Sequence, residues 1–152
     1  MKKVDLSKAP TRFGSGYPSP FDEPCRERTR WCVGLAAGLT QFGVNRLLLK
    51  KGQWSSQRHW HTKDEEFVVV LEGEVVLVTD AGEETLRAGD CAGFKAGDQD
   101  GHHFQNRSDK DAILLEIGTN HDDDVAEYPD VDLRALPDGY VHKDGTPYKN
   151  SR

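Results

Sequence analysis

All seven prolines of this chain lie outside residues 31–118. Pro10, Pro18, Pro20 and Pro24 precede that stretch, and Pro129, Pro137 and Pro147 follow it. Proline removes a ladder donor, so a long proline-free stretch is free to be built of paired strands throughout. Composition agrees: valine occurs 12 times against 2 isoleucines, and 15 glycines punctuate the chain. Short β-rich runs are expected over residues 42–50, 66–71, 74–79, 84–87, 91–95, 102–107 and 112–117, with a weaker one over 55–61. Lys51-Gly52, Glu72-Gly73, Asp80-Ala81-Gly82, Ala88-Gly89-Asp90 and Ala96-Gly97 supply the turns. No segment shows a helical stripe. Even spacing and short links predict an all-β sandwich or small barrel.

The length of 152 residues suits one domain, 1–152, with a core over about 31–118. Two arms, 1–30 and 119–152, carry the prolines. They are expected to be extended and wrapped on the core, anchored by Phe13, Tyr17, Phe21, Tyr128, Tyr140 and Tyr148. Asp122-Asp123-Asp124 reads as a solvated turn. The formal charge of −6 argues against a nucleic-acid partner. No apolar run approaches the roughly 20 residues of a membrane span, and the first residues carry no export signal. A cytoplasmic protein with no membrane partner is expected. Cys25, Cys32 and Cys91 form no disulfide framework and read as small apolar fillers.

Four of the six histidines stand in two pairs, His59/His61 and His102/His103. On a strand, residues i and i+2 share a face, so His59 and His61 project together. Glu65 and Glu66 open the run Phe67-Val68-Val69-Val70-Leu71. A carboxylate at the mouth of such a strand is costly to bury without a cation. His102 begins a later strand and completes the set from across the barrel. His59, His61, Glu66 and His102 together suit one divalent transition metal per chain. Zn²⁺ is the first choice, followed by Fe²⁺, Mn²⁺ or Ni²⁺, and Ca²⁺ fits poorly.

These residues resemble the cupin superfamily. His59-x-His61, four residues, Glu66, six residues and Gly73 match the first cupin motif, with Gly52 six rather than five residues before His59. Gly89, five residues and Lys95-Ala96-Gly97 stand in the second motif, Lys95 replacing its proline. His102, three residues and Asn106 close that motif, after four intervening residues rather than two. The step to Asn106 selects His102 over His103. The resemblance covers roughly residues 45–118. It implies a six- to eight-stranded antiparallel double-sheet barrel, jelly-roll-like, with the metal in its mouth. Thr40-Gln41-Phe42-Gly43-Val44-Asn45, Ser55-Ser56-Gln57-Arg58-His59-Trp60-His61 and Lys143-Asp144-Gly145-Thr146-Pro147-Tyr148 look like small single-domain bacterial cupins. Those are labelled sugar-phosphate (mannose-6-phosphate) isomerase-like. The resemblance thus implies metal-dependent isomerisation of a small oxygen-rich ligand. A metal-dependent dioxygenase and a non-catalytic binder of a small carbohydrate or acid are the alternatives.

Parity from His59 and His61 puts Gln57 on the pocket face. Asn45 and Arg46 compete for the inward position on their strand. Phosphate recognition needs a pocket Arg or Lys, for which Arg46 and Lys95 are the candidates. Glu116 alternates against Ile113, Leu115 and Ile117 and faces away from that apolar row, so no free pocket carboxylate stands out. Phe67, Val69 and Leu71 lie opposite Glu66. A lone barrel cannot hide both faces, and related cupins cover one with a second subunit, so a homodimer is expected.

Overall fold

Thirteen strands run along the chain in this computed structural model, which describes residues 3–149. The first arm contributes β1 (Thr11–Phe13) and β2 (Thr29–Trp31). The proline-free stretch supplies β3 (Phe42–Leu49), β4 (Trp60–His61), β5 (Glu66–Glu72), β6 (Glu74–Thr79), β7 (Gly82–Arg87), β8 (Cys91–Phe94), β9 (His103–Gln105) and β10 (Ala112–Thr119). The last arm adds β11 (Ala126–Tyr128), β12 (Leu133–Leu136) and β13 (Gly139–Val141). Every ladder is antiparallel. The sheets run β1-β2-β3-β10-β5-β8, β13-β12-β11-β4 and β7-β6-β9. The chain is therefore an all-β, antiparallel barrel built from one large sheet and two smaller ones, as the resemblance implies.

The expectation of wrapped arms needs refinement, because both arms enter the sheets. β2 pairs with β3, and β11 pairs with β4. Three-residue strands beside prolines leave no readable period, so sequence alone does not reveal them. Tyr17, Phe21, Tyr140 and Tyr148 pack on the buried Ala126, Tyr128 and Leu133, as aromatic anchors should. Phe13 does not: it is 78% exposed and anchors nothing. Cys25 and Cys32 are buried, whereas Cys91 is exposed.

Register decides what the barrel contains. Asn45 lies opposite Glu116, Leu47 opposite Leu114, and Leu49 opposite Ala112. On the other edge of β10, Glu116 meets Val68 and Leu114 meets Val70. Alternation sends these residues inward, where Leu47, Leu49, Val68, Val70, Val75, Leu86, Phe104, Ala112 and Leu114 form one buried cluster. The opposite face of the large sheet leaves Phe42, Phe67 and Leu71 exposed. Gly73 alone joins β5 to β6, with φ of 76°, and a Cβ there would stand 2.6 Å from the Asp111 carbonyl oxygen. Only glycine satisfies both demands. Asn106 is fully buried, and its Nδ2 donates to the carbonyls of Leu49 and Lys110, each at 2.8 Å. Its motif position is thus explained by fastening the β9–β10 link. Among the described residues no helix is long and apolar enough to cross a membrane.

Candidate metal centre

His59 and His102 sit directly opposite one another. His59 N donates to His102 O at 3.1 Å, and His102 N donates to His59 O at 2.8 Å. Opposed residues of an antiparallel bridge project to one side, so their rings meet with centroids 4.8 Å apart. His61, two residues on, brings its ring to 4.9 Å from that of His59. Glu66 opens β5 beneath them. The Nε2 atoms of His102, His59 and His61 lie 2.7, 3.5 and 3.5 Å from Glu66 Oε2.

The remaining ring nitrogens explain why Nε2 points at the centre. His59 Nδ1 donates to the Gln57 carbonyl at 2.9 Å, and His61 Nδ1 donates to Asp124 Oδ2 at 2.5 Å. An acceptor at Nδ1 fixes the ring orientation, so that Nε2 faces the centre, donating to Glu66 when protonated and offering its lone pair to a cation when not. His59, His61 and Glu66 each offer a ligand atom, all within 4.8 Å of one another. His102 borders this group through Glu66. Its ring stacks on Phe94 with centroids 3.5 Å apart, and its Nδ1 is buried without a hydrogen-bond partner. His103 is committed elsewhere: Nδ1 donates to the Ser56 carbonyl at 2.9 Å, and the Gln105 amide lies 3.0 Å from Nε2.

Burial pushes the Glu66 carboxyl upward, but hydrogen bonds from His102 and His59 outweigh it and hold the group well below the usual carboxylate range. Burial likewise pushes His59 down, and the bond to Glu66 more than reverses it. For His102 burial prevails over Glu66, and its value is lowered. A carboxylate with clustered imidazole nitrogens is a donor set that fits a divalent transition metal.

Asp124 was hidden in the acidic run. Instead of a solvated turn, it forms a clasp that also accepts from the backbone N–H groups of Lys63 (2.8 Å) and Asp64 (3.1 Å). Desolvation raises its carboxyl, yet the bond from His61 and the two N–H groups leave it lowered overall. His61, Asp64 and Asp124 form a second close trio, but these bonds commit Asp124 to orienting His61.

Two of the cavities that Glu66 lines also reach the clustered histidines. One, of about 510 Å³, is lined by His61, His102, Phe94 and Leu77, with Lys95 at its exposed rim. The other, of about 330 Å³, is lined by His59, His61, Asn45, Arg28, Arg30 and Glu116. Asn45 therefore takes the inward position. Arg46 does not, because its guanidinium lies over Trp31 at 5.4 Å, on the far face of the sheet. Gln57 lines neither cavity, and its Nε2 donates to the Phe21 carbonyl at 2.8 Å. Parity fails there because residues 55–58 bend instead of extending. Glu116 qualifies the expectation that no free pocket carboxylate stands out, because it lines the cavity but is paired. The apolar row it faces away from is the outside of the sheet, and its two oxygens receive Arg30 at 2.8 and 2.9 Å. Sequence reading also missed Arg28 and Arg30, which become interior only when β2 pairs with β3.

A family model described as a cupin domain matches residues 45–118. The structure superposes on a sugar phosphate isomerase from the cupin superfamily of Silicibacter pomeroyi DSS-3 with a TM-score of 0.90 and 42% identity, covering 97% of each chain. A protein of Acidithiobacillus ferrooxidans ATCC 23270, provisionally named a sugar phosphate isomerase, gives a TM-score of 0.72 and 26% identity over 81% of each chain. The polyketide cyclase RemF of Streptomyces resistomycificus shares the fold, with a TM-score of 0.61 and 19% identity over 78% of this chain and 79% of its own. No curated protein matches the chain.

Proposed function

Because the chain belongs to the cupin superfamily, we propose that it is a metal-dependent enzyme of the sugar-phosphate isomerase type, acting on a small oxygen-rich ligand. The observation that carries this reading is the convergence of three imidazole Nε2 atoms on Glu66 Oε2 inside the barrel. The likeness to the Silicibacter protein supplies the reaction class. His59, His61, Glu66 and His102 are the residues that would hold one divalent ion, Zn²⁺ being the first choice. Such an ion, when bound, supplies a Lewis acid for adjacent carbonyl and hydroxyl oxygens. Asp124 and the Gln57 carbonyl hold the imidazoles in register. Asn45 offers the ligand both a donor and an acceptor from its amide. Glu116, oriented by Arg30, is the cavity carboxylate assigned to moving a proton between adjacent carbons.

The test is a panel of hexose and pentose phosphates incubated with metal-loaded and chelated protein. Aldose–ketose conversion that chelation abolishes is expected. Turnover that consumes O₂ would assign the site to a dioxygenase, and binding without product would assign it to a carbohydrate or acid binder. A second copy of the chain is proposed to cover the exposed Phe42, Phe67 and Leu71. Light scattering should then report twice 17.0 kDa.

A further inference from the structure

The smaller cavity is lined by two arginines, Arg28 and Arg30, and by the carboxylates of Asp64, Glu66 and Glu116, yet only one arginine is paired. Arg30 and Glu116 neutralise one another through two hydrogen bonds. Arg28 lines the same cavity and is only 6% exposed. Its Nε donates to the Gly14 carbonyl at 2.9 Å, while its buried Nη1 has no hydrogen-bond partner. Among the described residues no carboxylate forms an ion pair with it. Asp64 and Glu66 also line the cavity, but Asp64 Oδ1 is taken by His121 at 2.7 Å and Glu66 Oε2 by the imidazoles around it.

The titratable groups that feel Arg28 do not supply the missing charge. Burial raises Tyr17, Tyr128 and Tyr140 above the ordinary phenol value and pushes the Cys25 thiol up to about 11. All four are neutral at physiological pH. A buried guanidinium with an unsatisfied N–H and no hydrogen-bonded counter-charge is costly. A chain that keeps one beside a metal-ligating cluster has a use for it. A guanidinium matches the oxygens of phosphate or carboxylate better than any other side chain.

We propose that Arg28 is the anion-binding residue of this cavity, receiving the phosphate or carboxylate end of the ligand whose other oxygens face the His59–His61–Glu66 cluster. This rests on the proposed function and deepens it by naming the group that recognises the charged end. It replaces Arg46 and Lys95, the two cations that sequence spacing favoured. Arg28 belongs to the N-terminal arm, so the arm becomes part of the site.

The experiment uses the whole chain, stripped of metal and again after loading, titrated calorimetrically with inorganic phosphate and with acetate. Wild-type protein should bind one of the two anions in both states, and the tighter one identifies phosphate or carboxylate as the recognised end. Arg28→Gln should weaken that anion at least about tenfold while retaining metal stoichiometry. Arg46→Gln, altered on the outer face, should bind as wild type does. If Arg28→Gln does not fold, Arg28→Lys is compared instead through the anion-induced rise in Tm, which should shrink. Equal anion affinity in the Arg28 variants, or anion binding that requires the metal, would overturn the proposal. Neither readout depends on turnover, so failure of the isomerase assignment leaves this result independent.

Discussion

Along β3, β5 and β10 a single inward face passes from polar to apolar. Asn45, Glu66 and Glu116 stand at one end, Leu47, Val68 and Leu114 follow, and Leu49, Val70 and Ala112 close the other. The apolar end is closed, with Leu47, Leu49, Ala112 and Leu114 all at 0% exposure. At the polar end Glu116 is answered by Arg30 and Glu66 by imidazoles, and only Arg28 has no ion-pair partner among the described residues. One ladder positions both. A one-residue slip of β10 would turn Glu116 out and expose Leu114 together, so packing at the dry end fixes geometry at the wet end. The dependence is expected to run mainly one way, from the packed end to the polar end.

Cross-wise substitution tests that asymmetry. The largest effect is expected for His59→Ala, which should abolish stoichiometric metal in elemental analysis while the denaturation midpoint moves little. Unchanged metal content would remove His59 from the ligand set. Leu114→Ala should cost about 2–5 kcal/mol in chemical denaturation, with metal stoichiometry of the folded protein retained. Loss of metal from a still-folded Leu114→Ala protein would show that the two ends are not separable. Asp124→Asn leaves the ligands intact but loosens His61. Chelator competition should report metal affinity reduced about 10–100-fold, and an unchanged affinity would make the clasp merely structural.

The smallest effect lies outside both ends. Asp130 accepts from Arg58 at 2.8 Å, and that hydrogen bond holds its carboxyl below the ordinary value. A carboxyl lowered by folding adds stability above its unfolded value, near pH 4, and loses it as pH falls through the folded value. Asp130 is half exposed, so the contribution is modest. Tm of the wild type should exceed that of Asp130→Asn slightly at pH 7, and the two should converge toward pH 3. A gap that widens on acidification would reverse the sign.

Much of the site was legible because it depends on local period. His59 and His61 share a side by strand parity alone, and Gly73 marks a one-residue turn. The step from His102 to Asn106 picked out the histidine that lies against Glu66, whereas His103 faces Ser56 and Trp54. Gln57 was misplaced two residues from a correct pair, because parity holds only while the chain stays extended. Glu116 was correctly assigned to the face opposite Ile113, Leu115 and Ile117. Its meaning was inverted, because alternation separates two faces without saying which one is inside.

The sequence by itself determined the antiparallel all-β class, the turns and the His59–His61–Glu66–His102 constellation. Those follow from period, turn chemistry and motif spacing over a few residues. Only the tertiary structure decided that β2 lies against β3, which brings Arg30 to Glu116 across 86 positions. It also decided that Asp124 reaches His61 across 63, and that Arg28 remains unanswered beside them. Such partners are chosen by pairing between distant segments, and no local pattern in a chain encodes which buried charge will be left without one.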